Sequence, residues 1–303
     1  MLLNSSKILT FLTLIIFLLG YESIVSQSVS IEDLKNTIKK DFDELSGDFA
    51  LAFIDQSNTN QKIMINADEK FHAASTMKTP VMIEIFRQAD EGKFRLLDSI
   101  ILKNEFKSIV DGSLYSMGIS DDSGDGLYKM IGKKVTINDL MYDMITVSSN
   151  LATNVLIELV GAKMVTNTMR KLGAKNIEIL RGVEDIKAYE KGLSNSTTAR
   201  DLMIIMEAIA TGRAGSKEDC QQMIDILKDQ KFNDMIPKYL PKSIQVSHKT
   251  GSITGVHHDS GIIFLPDGKT YVLIIMSKKL QDFDKATDQM ANISKNIYEF
   301  MTN

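Results

Sequence analysis

In the stretch FHAASTMKTPVMIEIF, Phe71 to Phe86, a serine and a lysine stand three residues apart in an otherwise apolar run. Serine is a weak nucleophile until a neighbouring base takes its proton. Lysine becomes such a base when burial weakens its hold on its own proton. The run predicts one buried helix, and on a helix residues three apart share a face. Ser75 and Lys78 are therefore expected within hydrogen-bonding reach of each other. Free N–H groups at the helix start would stabilise an oxyanion formed when Ser75 attacks a carbonyl. The plainer reading is a serine cap followed by a lysine that snorkels to solvent. A single Ser-x-x-Lys does not choose between them.

Two further stretches carry matching chemistry. In MITVSSNLATN, Ser148, Ser149 and Asn150 fall at a break between two helical patterns. Ser148 could relay a proton, while Asn150 could bind a substrate amide and hold Lys78. Serine and asparagine are equally good caps for the helix that follows. In SHKTGSITG, Lys249, Thr250 and Gly251 sit on a strand pattern. Lys249 and Thr250 suit an anionic carboxylate, and the Ser252 N–H suits a second oxyanion donor beside that of Ser75. Gly251 inside a strand marks close approach of a ligand or of another backbone. The competing reading is an ordinary lysine on an edge strand.

No metal and no cofactor are expected. His72, His248, His257 and His258 form no metal-binding helix motif, and the adjacent His257 and His258 would face opposite sides of a strand. Cys220 is the only cysteine, so it has no disulfide partner in the chain and reads as a packed small residue.

Elements must bring these residues together. Ile31, Leu34, Ile38, Phe42 and Leu45 recur at helical spacing. DFALAFID and KIMINAD, joined by the turn QSNTNQ, predict a hairpin. A stronger hairpin spans Ser260–Ser277, turning at Pro266-Asp267-Gly268-Lys269, and a helix from Phe283 to about Met301 ends the chain. Between these lie helical patterns, with Thr136 and Asp139 as a helix start and Gly161, Gly173 and Gly212 at helix ends. Strands at both ends with helices between predict an α+β fold. An antiparallel sheet of about five strands is built from both termini, with flanking helices and an inserted all-helical part. The α/β part would cover about 27–90 and 237–303 and the helical part about 91–236, with the site in the cleft between them.

The chain has 303 residues, is 44% hydrophobic and 24% charged, and carries a net charge of −4. That balance fits a globular protein and argues against nucleic acid or anionic lipid as partner. Lys7 precedes the apolar run Ile8–Gly20, and small polar residues follow. This is the pattern of a secretory signal peptide over residues 1–26. The run is too short for a spanning helix, so no stable membrane span is expected after cleavage. The mature chain is expected to be secreted, periplasmic or extracellular, and monomeric.

Together, Ser-x-x-Lys, Ser-x-Asn and Lys-Thr-Gly in this order are the motif set of class A β-lactamases and penicillin-binding proteins. The likeness runs through FALAFID, EKFHAASTMKTPVM, MITVSSNLATNVLIELVG, NSTTARDL and KTGSITGVHHDSGIIF. The chain thus resembles a class A-type serine hydrolase from Asp48 to the C-terminal helix. The resemblance implies a small-molecule β-lactam or peptidoglycan-like substrate and a Ser75 acyl-enzyme. It departs from the family at three places. Ser149 stands where the family usually has Asp. The loop RGVEDIKAYEKGLSN lacks the usual Arg-x-Glu followed four residues later by Asn: Arg181 is separated from Glu184 by two residues, and position 188 is Ala. Glu184 is then the expected deacylating base, ahead of Asp185 and Glu190, although solvated loop carboxylates are the plain alternative. His257-His258 stand where many members place a carboxylate-binding Arg, so His257 is the expected substitute when protonated. These departures leave three readings: a β-lactamase, a D,D-peptidase or esterase that retains the penicillin, and a non-catalytic β-lactam or cell-wall sensor.

Overall fold

The computed structural model describes residues 30–303, so the signal-peptide reading over 1–26 lies outside the described residues. Helix α1 (Ile31–Asp43) opens with Ser30 and Asp33 in a reciprocal cap and leads into strand β1 (Asp48–Asp55). The sequence of β1 alternates small and large side chains, and successive side chains of a strand face opposite sides. Phe49, Leu51 and Phe53 enter one core; Ala50, Ala52 and Ile54 enter another. Strand β2 (Lys62–Ile65) pairs with β1 as the expected hairpin. At the far end of the chain, β3 (Gln245–Ile253), β4 (Val256–Phe264) and β5 (Thr270–Lys278) complete a five-stranded sheet in the order β2-β1-β5-β4-β3. The sheet is antiparallel, and its two ends in sequence meet where β1 pairs with β5. The β4–β5 turn falls at Asp267-Gly268, with Gly268 at φ 86°.

The run Phe71–Phe86 is not one helix. Phe71–His72 pairs with Ser196–Thr197, Ala74–Met77 forms a 3₁₀ turn, and α2 (Lys78–Asp90) begins only at the lysine. Two local contacts compete with helix here. The Ala73 N–H donates to Asn195 O at 2.9 Å, and the Ala74 N–H donates to His72 Nδ1 at 3.0 Å. Ala74 itself turns through φ 44°. The 3₁₀ turn has three residues per turn, so it brings i and i+3 closer to eclipse than an α-helix does.

The helical patterns become α3 (Ile137–Thr146), α4 (Asn150–Val160), α5 (Ala162–Leu172), the short α6 (Ile186–Glu190), α7 (Ala199–Ala210) and α8 (Lys217–Lys228). The Asp139 N–H donates to the Thr136 hydroxyl, and Gly161, Gly173 and Gly212 adopt positive φ at helix ends. Helix α9 (Phe283–Thr302) closes the chain. Apolar faces of α1 and α9 cover one side of the sheet. The other side shares one continuous core with α2, α3, α4, α5, α7 and α8, through residues such as Ile274, Met276, Met82, Met144, Ile205 and Met223. The helical insert therefore has no separate core; it packs directly on the sheet. No helix among the described residues is long and apolar enough to cross a membrane.

Candidate active site

Three elements converge on two buried lysines. Lys78 is the first residue of α2 and is fully buried. Its Nζ donates to Ser148 O at 2.6 Å, to Ser148 Oγ at 3.1 Å and to Asn150 Oδ1 at 2.9 Å. Lys249, also fully buried on β3, donates from Nζ to the same Ser148 Oγ at 3.1 Å and to Thr250 O at 2.9 Å. Ser148 thus stands between two amines, held there by a left-handed backbone at φ 56°. Burial pulls the Lys78 pKa down to about 7, with Asp122 and Glu184 opposing the fall. Lys249 is held well below its ordinary value, first by burial and then by repulsion from Lys78.

The expected direct bond between Lys78 and Ser75 is not formed. All three hydrogens of a charged Lys78 are committed elsewhere, and among the described residues the Ser75 hydroxyl has no hydrogen-bond partner. Ser148, not Ser75, is the hydroxyl that touches Lys78 directly. Ser75 lies in the 3₁₀ turn, and β3 approaches that turn at Gly251. A Cβ at Gly251 would stand 3.0 Å from both Ser75 N and Thr76 N. Only glycine lets the edge strand lie this close. The approach brings Ser252 near Ser75, and both line a cleft of about 280 Å³ with His72, Asn150, Glu184 and Tyr189.

The loop from Arg181 to Asn195 forms the opposite wall. Asn195 pins its two ends together, accepting from Leu180 N at 2.8 Å and donating to Arg181 O at 2.9 Å. Asn154 grips its middle, accepting from Val183 N at 2.6 Å and donating to Val183 O at 3.0 Å. Asn154 lies one helical turn beyond Asn150 on α4, a spacing legible in the sequence that the motif reading passed over. The next residue, Glu184, has φ 59°, and its Oε1 lies 3.5 Å from Asn150 Nδ2. Burial and the nearby Asp121 raise the Glu184 carboxyl above its ordinary value. Asp185 does different work. It caps α6 at Ala188 N and accepts from Ser108 Oγ and Ile109 N, both at 2.9 Å, joining the loop to its neighbour. Glu190 is exposed and does not line the cleft.

His257 does not join the cluster. Its side chain enters the opposite side of the sheet, where Nδ1 meets Thr287 Oγ1 at 2.8 Å and the ring stacks on Phe283 at 4.7 Å. Strand alternation decides this: His258, its neighbour, takes the inner side and donates from Nε2 to His72 O at 2.9 Å. Burial lowers the His257 pKa as well, which removes the charge a carboxylate partner would need. Thr250 is buried on β3, and its carbonyl is one of the acceptors of Lys249. Cys220 is buried in α8.

The comparisons with known proteins bear on the whole of this arrangement. Residues 33–301 match the model of the beta-lactamase enzyme family. The chain belongs to that family. Among its relatives, the β-lactamase BRO-1 of Moraxella catarrhalis is 25% identical over 244 residues, covering 77% of this chain and 74% of the relative. A β-lactamase structure from Sphaerobacter thermophilus superposes with a TM-score of 0.77 at 27% identity, over 90% of this chain and 98% of that one. The structure of PBP-A shares the fold, with a TM-score of 0.77 at 24% identity over 89% of this chain and 96% of that one. The β-lactamase fold accounts for the sheet built from both ends of the chain and for the helices that cover it.

Against the family pattern, the missing acid at position 149 is answered from another loop. Asp122 accepts from Ser149 Oγ at 3.1 Å, Asn150 N at 2.9 Å and Leu151 N at 2.8 Å. Nothing in the stretch SDDSGDG signals that contact, because the partners lie 27 or more residues apart. His72, which shares the cleft wall with Ser75, was likewise passed over; burial and Arg181 lower its pKa.

Proposed function

We propose that this protein is a secreted serine β-lactamase that opens the lactam amide through an acyl-enzyme on Ser75. The observation that carries the reading is the pair of buried lysines meeting on Ser148 Oγ, one of them three residues along the chain from Ser75. With Lys78 neutral, the Ser148 hydroxyl donates to the Lys78 nitrogen and accepts the proton leaving Ser75 Oγ. The N–H groups of Ser75 and Ser252 receive the oxyanion. Asn150 binds the side-chain amide of the substrate, and Lys249 with Thr250 receives its carboxylate. Glu184, its carboxyl raised above its ordinary value by burial and held near Asn150, takes a proton from the water that releases the product.

A second reading, a D,D-peptidase on the same fold, is favoured by one observation. Ala188 stands, fully buried, where the family carries the amide that helps hold the deacylating water, so Glu184 would act without that partner. One experiment separates the readings. Nitrocefin hydrolysis is expected in the wild type and lost by about 10³-fold or more in Ser75→Ala. In Glu184→Gln, mass spectrometry after penicillin addition is expected to show a lasting adduct on Ser75. A lasting adduct already in the wild type would overturn the lactamase reading in favour of the peptidase. Undiminished hydrolysis in Ser75→Ala would overturn both.

A further inference from the structure

The turn that carries Ser148 and Asn150 has no acid of its own, since Val147, Ser148, Ser149 and Asn150 are all uncharged. It nevertheless sits against two buried amines that both aim at Ser148 Oγ. A carboxylate reaches it from the loop before α3. Asp122 Oδ1 accepts the Asn150 N–H at 2.9 Å, and Oδ2 accepts the Leu151 N–H at 2.8 Å and the Ser149 hydroxyl at 3.1 Å. The same side chain closes its own loop, accepting from Gly124 N at 3.1 Å and Tyr128 OH at 3.3 Å. The two backbone donors belong to the first turn of α4, where N–H groups lack intrahelical partners and negative charge is favoured.

Helix capping alone does not explain the contact. Ser149 already caps α4, its Oγ accepting from Ala152 N at 3.2 Å. What Asp122 adds is a grip on three consecutive residues, Ser149, Asn150 and Leu151. Asn150, whose Oδ1 meets Lys78, lies inside that segment, and Ser148, whose Oγ meets Lys78, directly precedes it. Asp122 does not line the cleft, so it acts through these residues and not on a substrate.

We propose that Asp122 is a positioning residue for acylation: its carboxylate holds the Ser148-Ser149-Asn150 turn in register with Lys78 and Lys249 and supplies the negative charge which that turn lacks. The inference rests on the reading of Ser75 as the acylated nucleophile. The charged groups facing Lys78 are Lys249 from β3, Glu184 from the Arg181–Asn195 loop, and Asp122. Of the two acids, Asp122 alone is bonded to the turn's backbone.

The test compares wild type, Asp122→Asn, Asp122→Ser, and the exchange Asp122→Ser with Ser149→Asp, each checked for folding by thermal melting. Lys78 is titrated by NMR with side-chain-labelled lysine, which needs no substrate. Acylation is followed as the rate of penicillin adduct formation on Ser75. The Lys78 midpoint is expected to fall below its wild-type value of about 7 in Asp122→Asn. Acylation is expected to slow about tenfold, the loss of one charge-assisted hydrogen bond. The exchange is expected to recover both readouts where Asp122→Ser alone does not. An unchanged Lys78 midpoint in Asp122→Asn, or an exchange that folds without recovering it, overturns the proposal. If Asp122→Asn does not fold, the exchange decides alone. A wild type that penicillin never acylates would sink the functional reading, while the Lys78 titration would still judge Asp122.

Discussion

Lys78 has every hydrogen of its ammonium committed to Ser148 or Asn150, yet burial has brought its pKa to about 7. The same amine can thus hold the turn when charged and, in the proposed acylation, accept a proton when neutral. Below that pKa it holds its proton and cannot accept one; above it, the lone pair is free. Acylation should rise with pH through about 7, falling about tenfold per unit on the acid side. In Lys78→Met the residual rate should drop by about 10²- to 10⁴-fold and lose this limb. Stopped-flow penicillin acylation across pH checks both, and a limb that survives in Lys78→Met would assign the base elsewhere. Much of this was legible from residue types. Ser-x-x-Lys put Ser75 and Lys78 on one short segment, and the structure keeps them on adjoining turns, the 3₁₀ turn and the start of α2. The missing direct bond was not legible, because it depends on which acceptors other elements bring to the amine.

Elements shape the site through backbone as much as through side chains. Among the described residues five non-glycine positions have positive φ, and three of them, Ala74, Ser148 and Glu184, lie at the site. Each such position costs about 1–3 kcal/mol, and surrounding contacts must over-determine it. His72 holds Ala74 itself, Lys78 and Lys249 both bond the Ser148 side chain, and Asn154 holds Val183, the residue before Glu184. The edge strand β3 contributes an absence: no side chain at Gly251. A Cβ there would press on two backbone nitrogens that cannot yield cheaply. Gly251→Ala should cost about 1–3 kcal/mol of stability and slow acylation by about 10²-fold as strand and turn separate. Urea unfolding together with adduct kinetics tests this; wild-type kinetics in Gly251→Ala would show that the close approach is dispensable. The glycine's role was readable in sequence as an oddity inside a strand pattern. The left-handed residues were not, since alanine, serine and glutamate carry no local signal for that conformation.

At the scale of the whole molecule, α2 is buried on nearly every side, and its polar anchor lies far from the cleft. Glu84 is fully buried and accepts from Arg87 at 2.6 and 2.8 Å, from Gln88 at 2.6 Å and from Thr168 of α5 at 2.6 Å. Burial alone would raise this carboxyl, but the bonds from Arg87, Thr168 and Gln88 together hold it below its ordinary 4.5. Removing it leaves buried donors unpaired. Glu84→Ala should therefore destabilise the fold by about 3–5 kcal/mol, measured by urea unfolding. The sign with pH follows from the lowered value. The stabilisation is present above the unfolded-state pKa and is lost as pH falls through the lower, folded one. Acid melts should thus show the wild-type advantage over Glu84→Ala shrinking below about pH 4. A constant gap would mean that the carboxyl's charge contributes nothing.

The sequence alone determined the sheet, its two-ended construction and the three motifs that the fold gathers. Those features are written in short-range patterns: period-two alternation in β1, apolar spacing in the helices, turn residues at Asp267-Gly268, and residue types three apart. Only the tertiary structure decided how the motifs are completed. It moved the acid absent at Ser149 to Asp122, sent His257 to the far side of the sheet while His258 stayed near the cleft, and separated Glu184 from Asp185 by task. Each of these depends on contacts between residues distant in the chain or on which face of an element a side chain meets. Local propensity carries no information about either, so the same residues read in sequence as caps, loop acids and, at His257, a substitute for a carboxylate-binding arginine.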